Sequence, residues 1–182
     1  MTIRSLAVRR RLAARNQQDG PYANLLQSRL PAGSTRFREL ELLCLDLETT
    51  GLDARRDEIL SVGWVVVRHN RIELKTARRF FVRPTGGVGQ SATIHGLTDS
   101  TVADGSPLGT LLGTLLESLV GRVLGGHHPG PDKTLLDREC RRYYGAPLLV
   151  PVIDTLAVER RSRARRSAVM TGTSLRLVDL RK

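Results

Sequence analysis

The middle of the chain alternates between apolar runs and turn-forming residues in a way that predicts three consecutive β-strands. The first is a short apolar run over residues 40–47, typical of a strand buried on both faces. A run rich in β-branched residues covers 59–67, and a third strand is predicted over 72–82. Gly51 lies in the first connection, and Pro84 follows the third strand. Because the connections are short, we expect an antiparallel meander.

The segment that follows has the 3.6-residue periodicity of an amphipathic helix. Seven apolar residues have the spacing of a single helical face: Leu108, Leu111, Leu112, Leu115, Leu116, Leu119 and Val120. A short strand over 122–126, a helix over 132–144 and another strand over 150–156 come next. The order β-β-β-α-β-α-β predicts an α/β fold in which a mixed sheet is flanked by helices.

The N-terminal part of the chain lacks this organisation. Residues 1–15 are basic, and we interpret them as an amphipathic surface helix in preference to a mitochondrial presequence. Proline and glycine recur between residues 20 and 38, which indicates a linker. We therefore divide the chain into a basic N-terminal helix and linker, 1–38, and a folded domain, 39–182. No apolar run reaches the ~18 residues of a membrane helix, so we expect a soluble, cytoplasmic protein without membrane contact.

The composition adds a strong positive charge to this picture. The formal net charge is +11, and of 29 basic residues three are lysines. Such a charge favours a polyanionic partner, although an arginine excess can also reflect genome composition. An arginine cluster over 160–166 either steers single-stranded nucleic acid or is a solvated helix face. The two cysteines, Cys44 and Cys140, exclude a disulfide scaffold and a four-cysteine zinc site.

Two acids at the end of the first predicted strand are the main candidates for chemistry. Asp46 and Glu48 are two residues apart, so they point to the same face of the strand, while Leu45 and Leu47 point to the other. Neighbouring carboxylates beside an apolar core repel each other. Either one of them has a raised pKa, or a divalent cation such as Mg²⁺ neutralises both, or both reach solvent at a frayed strand end.

A second group of polar residues lies at the predicted junction of the strand over 122–126 with the next helix. Asp132 is placed to cap that helix, and it can equally direct a third carboxylate toward the edge of the sheet. His127 and His128 are adjacent, but neighbouring histidines rarely bind one metal. No cysteine or further histidine lies nearby at ligand spacing, which argues against zinc.

Four segments, taken in order, resemble the motifs of one known family. Residues 43–52, LCLDLETTGL, are similar to the first motif of the DnaQ-like 3′–5′ exonucleases, which include polymerase proofreading subunits and ribonuclease T. Residues 91–98, with Ile-His-Gly-Leu-Thr, resemble the loop after the third strand of that family. Gly-His-His at 126–128 with Asp132 resembles the second motif, and 153–156 resemble the strand that follows it.

The resemblance implies a ribonuclease-H-like fold and hydrolysis of terminal phosphodiester bonds by a two-metal mechanism with Mg²⁺ or Mn²⁺. It implies that Asp46, Glu48 and Asp132 are catalytic metal ligands. The terminal nucleotide would contact residues of the first motif and of the following loop: Thr49, Thr50, Gly51, Leu52 and His95. The expected partners are 3′ ends of single-stranded DNA or RNA and a DNA polymerase, and a homodimer is also compatible with the family.

The family's third motif, a histidine four residues before an aspartate, has no counterpart here. After Asp154 the sequence contains no histidine, and its remaining acids are Glu159 and Asp179. We therefore expect the domain, 39–182, to be C-terminally incomplete and to lack the last helix of the fold. Losing a general base typically costs ~10²–10⁴-fold in rate.

Three functions are compatible with these observations. The first is a 3′–5′ exonuclease of single-stranded nucleic acid with impaired catalysis. The second is a catalytically inactive nucleic-acid-binding or protein-interaction module that retains the fold. The third is an unrelated basic α/β domain that matches the motifs by chance. The sequence does not distinguish DNA from RNA as substrate, or proofreading from repair or RNA maturation.

Overall fold

The computed structural model describes residues 2–51, 53–85 and 103–166. Within these residues there is one five-stranded sheet, formed by β1 (Leu42–Thr49), β2 (Ile59–Arg68), β3 (Arg71–Phe81), β4 (Val123–Gly126) and β5 (Val152–Asp154). The strand order is β3-β2-β1-β4-β5. The first three strands pair antiparallel, whereas β4 pairs parallel with both β1 and β5. The predicted mixed sheet, with a meander on one side and parallel strands on the other, is confirmed.

The helices are α1 (Ile3–Ala14), α2 (Pro21–Gln27), α3 (Leu108–Leu119), α4 (Gly130–Tyr144) and α5 (Thr155–Arg166), and a short 3₁₀ turn covers Phe37–Glu39. The predicted helices are present in the predicted order, and α2 and α5 are additional. The last strand is shorter than predicted, because the chain turns into α5 directly after Asp154. None of the helices in the described part of the chain is long and apolar enough to cross a membrane.

The segment interpreted as a linker, residues 20–38, contains the helix α2. Pro21 occupies the first turn of this helix, where its fixed φ and missing amide hydrogen are tolerated, so it starts the helix instead of breaking it. Tyr22 and Leu25 are 1% exposed, and α2 packs against α1 and α3. The linker interpretation was wrong for 21–27. The division of the chain at residue 38 stays a prediction.

The core lies on the face of β1 opposite the two acids. Leu43, Leu45 and Leu47 are buried on that face. They belong to one cluster with five leucines of α3, namely Leu111, Leu112, Leu115, Leu116 and Leu119. Burying a leucine side chain contributes ~1.5–3 kcal/mol each, so this layer fixes the position of β1. The acids between the leucines are therefore held on a rigid strand.

Two glycines of α3 occupy positions where a helix would ordinarily be weakened by ~1 kcal/mol each. A Cβ atom on Gly109 would lie 2.8 Å from the Tyr143 ring, so only glycine leaves room for that ring. A Cβ atom on Gly113 would lie 3.5 Å from Pro21, an ordinary contact. Glycine at position 109 thus allows the Tyr143 ring of α4 to lie against α3.

The topology brings the carboxyl ends of three parallel strands to one edge of the sheet. Asp46 and Glu48 lie near the end of β1, residues 126–128 follow β4, and Asp154 ends β5. In open α/β sheets this edge is where ligands bind. The residues that the sequence singled out therefore converge on one corner of the fold.

Candidate active site at the carboxyl edge of the sheet

Asp46 and Glu48 share one face of β1, as their spacing predicts. In the antiparallel pairing with β2 they lie opposite Gly63 and Ser61, respectively. Because these partners are small, the sheet surface beside the acids is left open. Asp46 is exposed and Glu48 is half-buried, while Leu45 and Leu47 are buried on the other face. The strand thus presents two carboxylates beside an open surface and anchors them through the leucines between them.

Asp132 joins the two acids from the first turn of α4. Burial, together with the negative charges of Asp46 and Glu48, raises its pKa to about 6, while His128 acts in the opposite direction. The interaction shows that the three carboxylates share one electrostatic environment. The raised pKa at this corner belongs to Asp132, whereas the alternative drawn from the sequence concerned Asp46 and Glu48 and stays a prediction.

Of the two alternatives left open for Asp132, the role of helix N-cap was wrong. The helix begins at Gly130 with Pro129 as its N-cap, and proline lies within its first two positions. Asp132 is consequently the third helical residue, and its carboxylate interacts electrostatically with Asp46 and Glu48 of β1. An acid in the first turn still interacts favourably with the helix dipole.

The connection between β4 and α4 is tightly folded. A Cβ atom on Gly126 would lie 2.8 Å from the Pro129 Cβ, so the turn requires glycine at this position. His128 adopts a left-handed backbone conformation with φ of +64°. Asparagine tolerates this conformation better than most residues. The turn aims α4 so that Asp132 reaches the corner.

Asp154 ties this turn to the next helix, a role that the sequence interpretation missed. Its Oδ1 accepts hydrogen bonds from the backbone amides of His128 at 3.0 Å, Leu156 at 2.9 Å and Ala157 at 3.3 Å. Burial works to raise the pKa of Asp154, but these amide donors outweigh it, so the pKa lies below its usual value. The sequence signal was available, because aspartate directly before a helical segment is a typical N-cap.

His127 and Thr155 add a second link between the same two segments. The His127 Nδ1 lies 3.1 Å from the Thr155 Oγ1, and that hydroxyl donates a hydrogen bond to the Gly126 carbonyl at 3.2 Å. His127 thus has a structural partner at the start of α5.

The loop after β1 is closed by Asp57. The Thr50 hydroxyl donates to the Asp57 Oδ1 at 3.0 Å, and the Asp53 amide donates to its Oδ2 at 2.6 Å. A Cβ atom on Gly51 would lie 2.6 Å from the same carboxylate, so glycine allows the loop to close. The Thr49 hydroxyl donates to the Gly51 carbonyl at 2.6 Å. The two threonine side chains therefore shape the loop on which the terminal nucleotide is expected to lie.

One backbone amide of this loop is already bound within the protein. The Thr50 amide donates to the Glu58 carbonyl at 3.0 Å, and the Thr50 hydroxyl accepts from the Glu58 amide at 3.0 Å. The Gly51 amide is therefore the better candidate for contact with a ligand. Leu52 and His95, also expected in the substrate site, lie outside the described residues.

The donor set at the corner fits a hard divalent cation. Asp46, Glu48 and Asp132 offer carboxylate oxygens, which Mg²⁺ and Mn²⁺ prefer as ligands, and an added positive charge would relieve their mutual repulsion. Among the residues described by the structure, no three histidine, cysteine, aspartate or glutamate side chains form a preformed metal cage. The corner therefore supplies chemically suitable donors, which do not form a closed metal site in the described structure.

Helix α5 extends the positive charge from the corner outward. It begins directly after Asp154 and carries Arg160, Arg161, Arg163 and Arg165. Arg163 is paired with Glu159 at 2.7 Å. The cluster predicted from the sequence is thus on a helix, and this helix is anchored at the carboxyl edge.

Comparisons with known proteins agree with the fold and the motifs. The RNase T family model, described as exonuclease, matches residues 43–181. A PolC-type DNA polymerase III of Mycoplasma pneumoniae is 32% identical over 126 residues, which is 68% of this chain and 9% of the polymerase. The chain thus spans about a tenth of the length of that relative.

Two solved structures illustrate the similarity in fold. Exonuclease I of Methylocaldum szegediense has a TM-score of 0.66 at 20% identity, covering 78% of this chain and 34% of that one. Exonuclease I of E. coli, solved with a 5cy-dA13 oligonucleotide, has a TM-score of 0.67 at 16% identity, covering 78% and 35%. Together with the motifs at the carboxyl edge, the family match shows that this chain belongs to the DnaQ-like exonuclease family.

Proposed function

We propose that this chain removes nucleotides from the 3′ end of single-stranded nucleic acid by hydrolysis of the terminal phosphodiester bond. The observation that carries this proposal is the shared environment of Asp46, Glu48 and Asp132 at the carboxyl edge of the sheet. Three acids at one corner are costly to fold unless something positive offsets them. A polyanionic substrate approaches such a corner only when the carboxylates are neutralised.

The three carboxylates would hold divalent cations, Mg²⁺ or Mn²⁺, two in an intact site. When bound, such cations supply Lewis acidity, which makes water a better nucleophile and offsets the charge on the leaving oxygen. The chain's own contribution is to fix the donors. Asp46 and Glu48 are held by the buried face of β1, and Asp132 by the turn at 126–129. The loop closed by Asp57 would support the terminal nucleotide.

The charge distribution supports a single-stranded polynucleotide as substrate. The chain has a net charge of +11, and the arginines of α5 begin within two turns of the corner. Positive charge raises the local concentration of nucleic acid, and salt weakens the effect. The similarity to a PolC-type polymerase and to an exonuclease bound to an oligonucleotide favours DNA and a polymerase partner.

A second candidate function follows from the sequence beyond Asp154. No histidine is present there, so the 182 residues by themselves provide no counterpart of the family's general base. We propose that this polypeptide hydrolyses nucleic acid slowly. In the second candidate function it binds nucleic acid without cutting it.

The decisive experiment uses 5′-labelled single-stranded DNA with Mg²⁺ or Mn²⁺. Exonuclease activity predicts a ladder that shortens from the 3′ end and stops at a 3′-terminal phosphorothioate. Asp46→Asn should abolish the ladder, while Asp19→Asn, which changes an exposed aspartate in the N-terminal part, should leave it unchanged. Binding without a ladder in the wild-type chain would support the inactive module instead.

A thermal melt tests the metal ligands without relying on activity. Mn²⁺ should raise the melting temperature of the wild-type chain, because a ligand that binds only the folded state stabilises it. At 100 times its Kd the stabilisation is about 2.7 kcal/mol. Asp46→Asn should lose most of this shift and Asp19→Asn none of it. Equal shifts in all three proteins would overturn the proposed ligand set.

A further inference from the structure

Arg138 ties the loop between β1 and β2 to helix α4. Its Nη1 donates a hydrogen bond to the Ala54 carbonyl and its Nη2 donates to the Asp57 carbonyl, both at 2.8 Å. These bonds span 84 and 81 positions of the chain, so they connect two separate elements of the fold. Ala54 and Asp57 belong to one turn, in which the Asp57 amide donates to the Asp53 carbonyl at 2.8 Å. A single guanidinium group thus binds this turn at two points.

The same loop is the one on which the terminal nucleotide is expected to lie. Its shape depends on the Asp57 side chain, which accepts hydrogen bonds from the Thr50 hydroxyl and the Asp53 amide. Because Arg138 holds the Asp57 carbonyl, it fixes the point of the main chain from which that side chain extends. Arg138 therefore sets where the loop lies relative to α4.

Glu139 fixes the direction of the Arg138 side chain. Glu139 is 2% exposed, and its Oε1 accepts a hydrogen bond from the Arg138 Nε at 2.7 Å. The Arg138 Nη2 lies 2.7 Å from the same oxygen. A guanidinium group is planar, so a carboxylate on one side of it directs its other N–H groups along fixed lines. The buried carboxylate thereby aims Arg138 at the loop.

Helix α4 also carries Asp132, one of the proposed metal ligands. Asp132 and Arg138 are six positions apart on this helix, which corresponds to ~9 Å along its axis. The turn at 126–129 holds the beginning of the helix, and the Arg138 contact holds the loop farther along it. The helix therefore acts as a rigid spacer between the carboxylate corner and the loop.

We propose that Arg138 is a positioning residue for the proposed hydrolysis: by clamping the loop between β1 and β2 onto α4, it places the terminal phosphodiester bond against the carboxylates of the corner. The inference rests on the proposed function, because it assigns a role within that same site. Arg138 acts through the main chain of the loop, without contact to the substrate. A displacement of about 1 Å at a reacting bond can cost ~100-fold in rate, so a small shift of the loop is sufficient.

Two substitutions in the full chain separate position from charge. Arg138→Lys retains the positive charge that attracts a polynucleotide, but it loses the fork that reaches two carbonyls. Arg141→Ala removes the charge of an exposed arginine on the same helix and leaves the clamp in place. In Mn²⁺, kcat for a single-stranded oligothymidylate should fall at least about tenfold in Arg138→Lys and change less than about twofold in Arg141→Ala. A wild-type kcat in Arg138→Lys would overturn the proposal.

A second substrate distinguishes positioning from a loss of folded protein. Bis(4-nitrophenyl) phosphate has a phosphodiester bond and no nucleoside, so its hydrolysis at the corner does not depend on the loop. Its rate in Arg138→Lys should equal that of wild type, and calorimetric titration should give the same Mn²⁺ stoichiometry. Equal losses with both substrates would show a structural role and overturn the proposal. If Arg138→Lys does not fold, Glu139→Gln takes its place, because loss of the ion pair loosens the Arg138 side chain.

A double substitution tests whether Arg138 acts through the loop. A Cβ atom on Gly51 would lie 2.6 Å from the Asp57 carboxylate, so Gly51→Ala disturbs the loop without touching Arg138. Two changes that act on one element are not additive, so Arg138→Lys should lower kcat by less than about threefold in the Gly51→Ala background. A full tenfold loss in that background would show that the two residues act independently, which would overturn the proposal.

Binding of the product nucleotide tests the inference separately from the proposed function. If wild type cleaves neither substrate, the proposed function fails, whereas titration of thymidine 5′-monophosphate in Mn²⁺ requires no hydrolysis. The Kd of this nucleotide should be about tenfold higher in Arg138→Lys than in wild type or Arg141→Ala, because the loop that supports it is displaced. Equal Kd values in the three proteins, or no binding by wild type, would overturn the inference.

Discussion

Asp132 and Asp154 lie at the same edge of the sheet, yet their surroundings are opposite. Burial and two neighbouring acids raise the pKa of Asp132 to about 6. Three backbone amides surround one oxygen of Asp154 and hold its pKa below the usual value, although burial works against them. The ionised form of Asp132 is thus destabilised by its surroundings, whereas the ionised form of Asp154 stabilises the neighbouring turn. The difference separates a carboxylate available for a ligand from one that maintains the fold.

The largest effect should come from neutralising the destabilised acid. In Asp132→Asn the exonuclease rate should fall at least about 100-fold, because one proposed metal ligand is lost. The metal-free protein should melt at a higher temperature than wild type, because the repulsion from Asp46 and Glu48 disappears. Steady-state cleavage and a melt in EDTA measure the two quantities. A lower melting temperature together with unchanged activity would show that Asp132 has a structural role.

The same change at the other aspartate should have the opposite signature. Asp154→Asn keeps the shape of the side chain but weakens its bonds to the amides of His128, Leu156 and Ala157. We expect a loss of roughly 1 kcal/mol of unfolding free energy, the typical value of a helix cap. Chemical denaturation of wild type and variant measures it. A variant as stable as wild type would mean that the link between the β4–α4 turn and α5 contributes nothing.

These two aspartates also show how far the sequence predicts the structure. The alternation of acids and leucines in β1 identified the face of Asp46 and Glu48, because strand geometry leaves no other arrangement. The role of Asp132 depended on where α4 begins. Pro129 is the N-cap and Pro131 lies in the first turn, so the helix begins before Asp132 and this aspartate is not the capping residue. The hydrogen bond from the His128 amide to Asp154 spans 26 positions of the chain, so local patterns do not reveal it.

A similar reason applies to the N-terminal part of the chain. As a local sequence pattern, Pro21 and the glycine before it are typical of a turn. Burial of Tyr22 and Leu25 against the rest of the core decides in favour of a helix. Seven residues form too short a helix to be stable without such packing. Tertiary contacts, which the sequence pattern does not contain, therefore determined this element.

The pH dependence of stability should carry opposite slopes for the two aspartates. Asp132 has a raised pKa of about 6 in the folded state, so between about pH 4 and pH 6 the folded state binds more protons than the unfolded state. Its contribution to stability therefore falls as the pH rises through this window, by on the order of 1 kcal/mol after allowance for solvent screening.

Asp154 has a lowered pKa, so its contribution is complete above about pH 4 and is lost as the pH falls through its folded-state pKa. Denaturation in EDTA from pH 3 to pH 7 tests both signs. The difference between wild type and Asp132→Asn should decrease with rising pH, whereas the difference between wild type and Asp154→Asn should increase. Slopes of the same sign would contradict the contrast between the two sites.

The smallest expected effect concerns the turn that connects the two aspartates. His128 donates its amide to Asp154, lies three residues before Pro131, and holds a left-handed backbone with φ of +64°. Asparagine adopts this conformation at a lower cost than most residues, so His128→Asn should raise the unfolding free energy by about 0.5 kcal/mol. Replacement of the neighbouring histidine, His127→Asn, should bring no gain, because His127 is outside the left-handed region and would lose its contact with Thr155. Denaturation curves give the unfolding free energy of both variants. A higher unfolding free energy in His127→Asn and no increase in His128→Asn would show that the strain lies elsewhere in the turn.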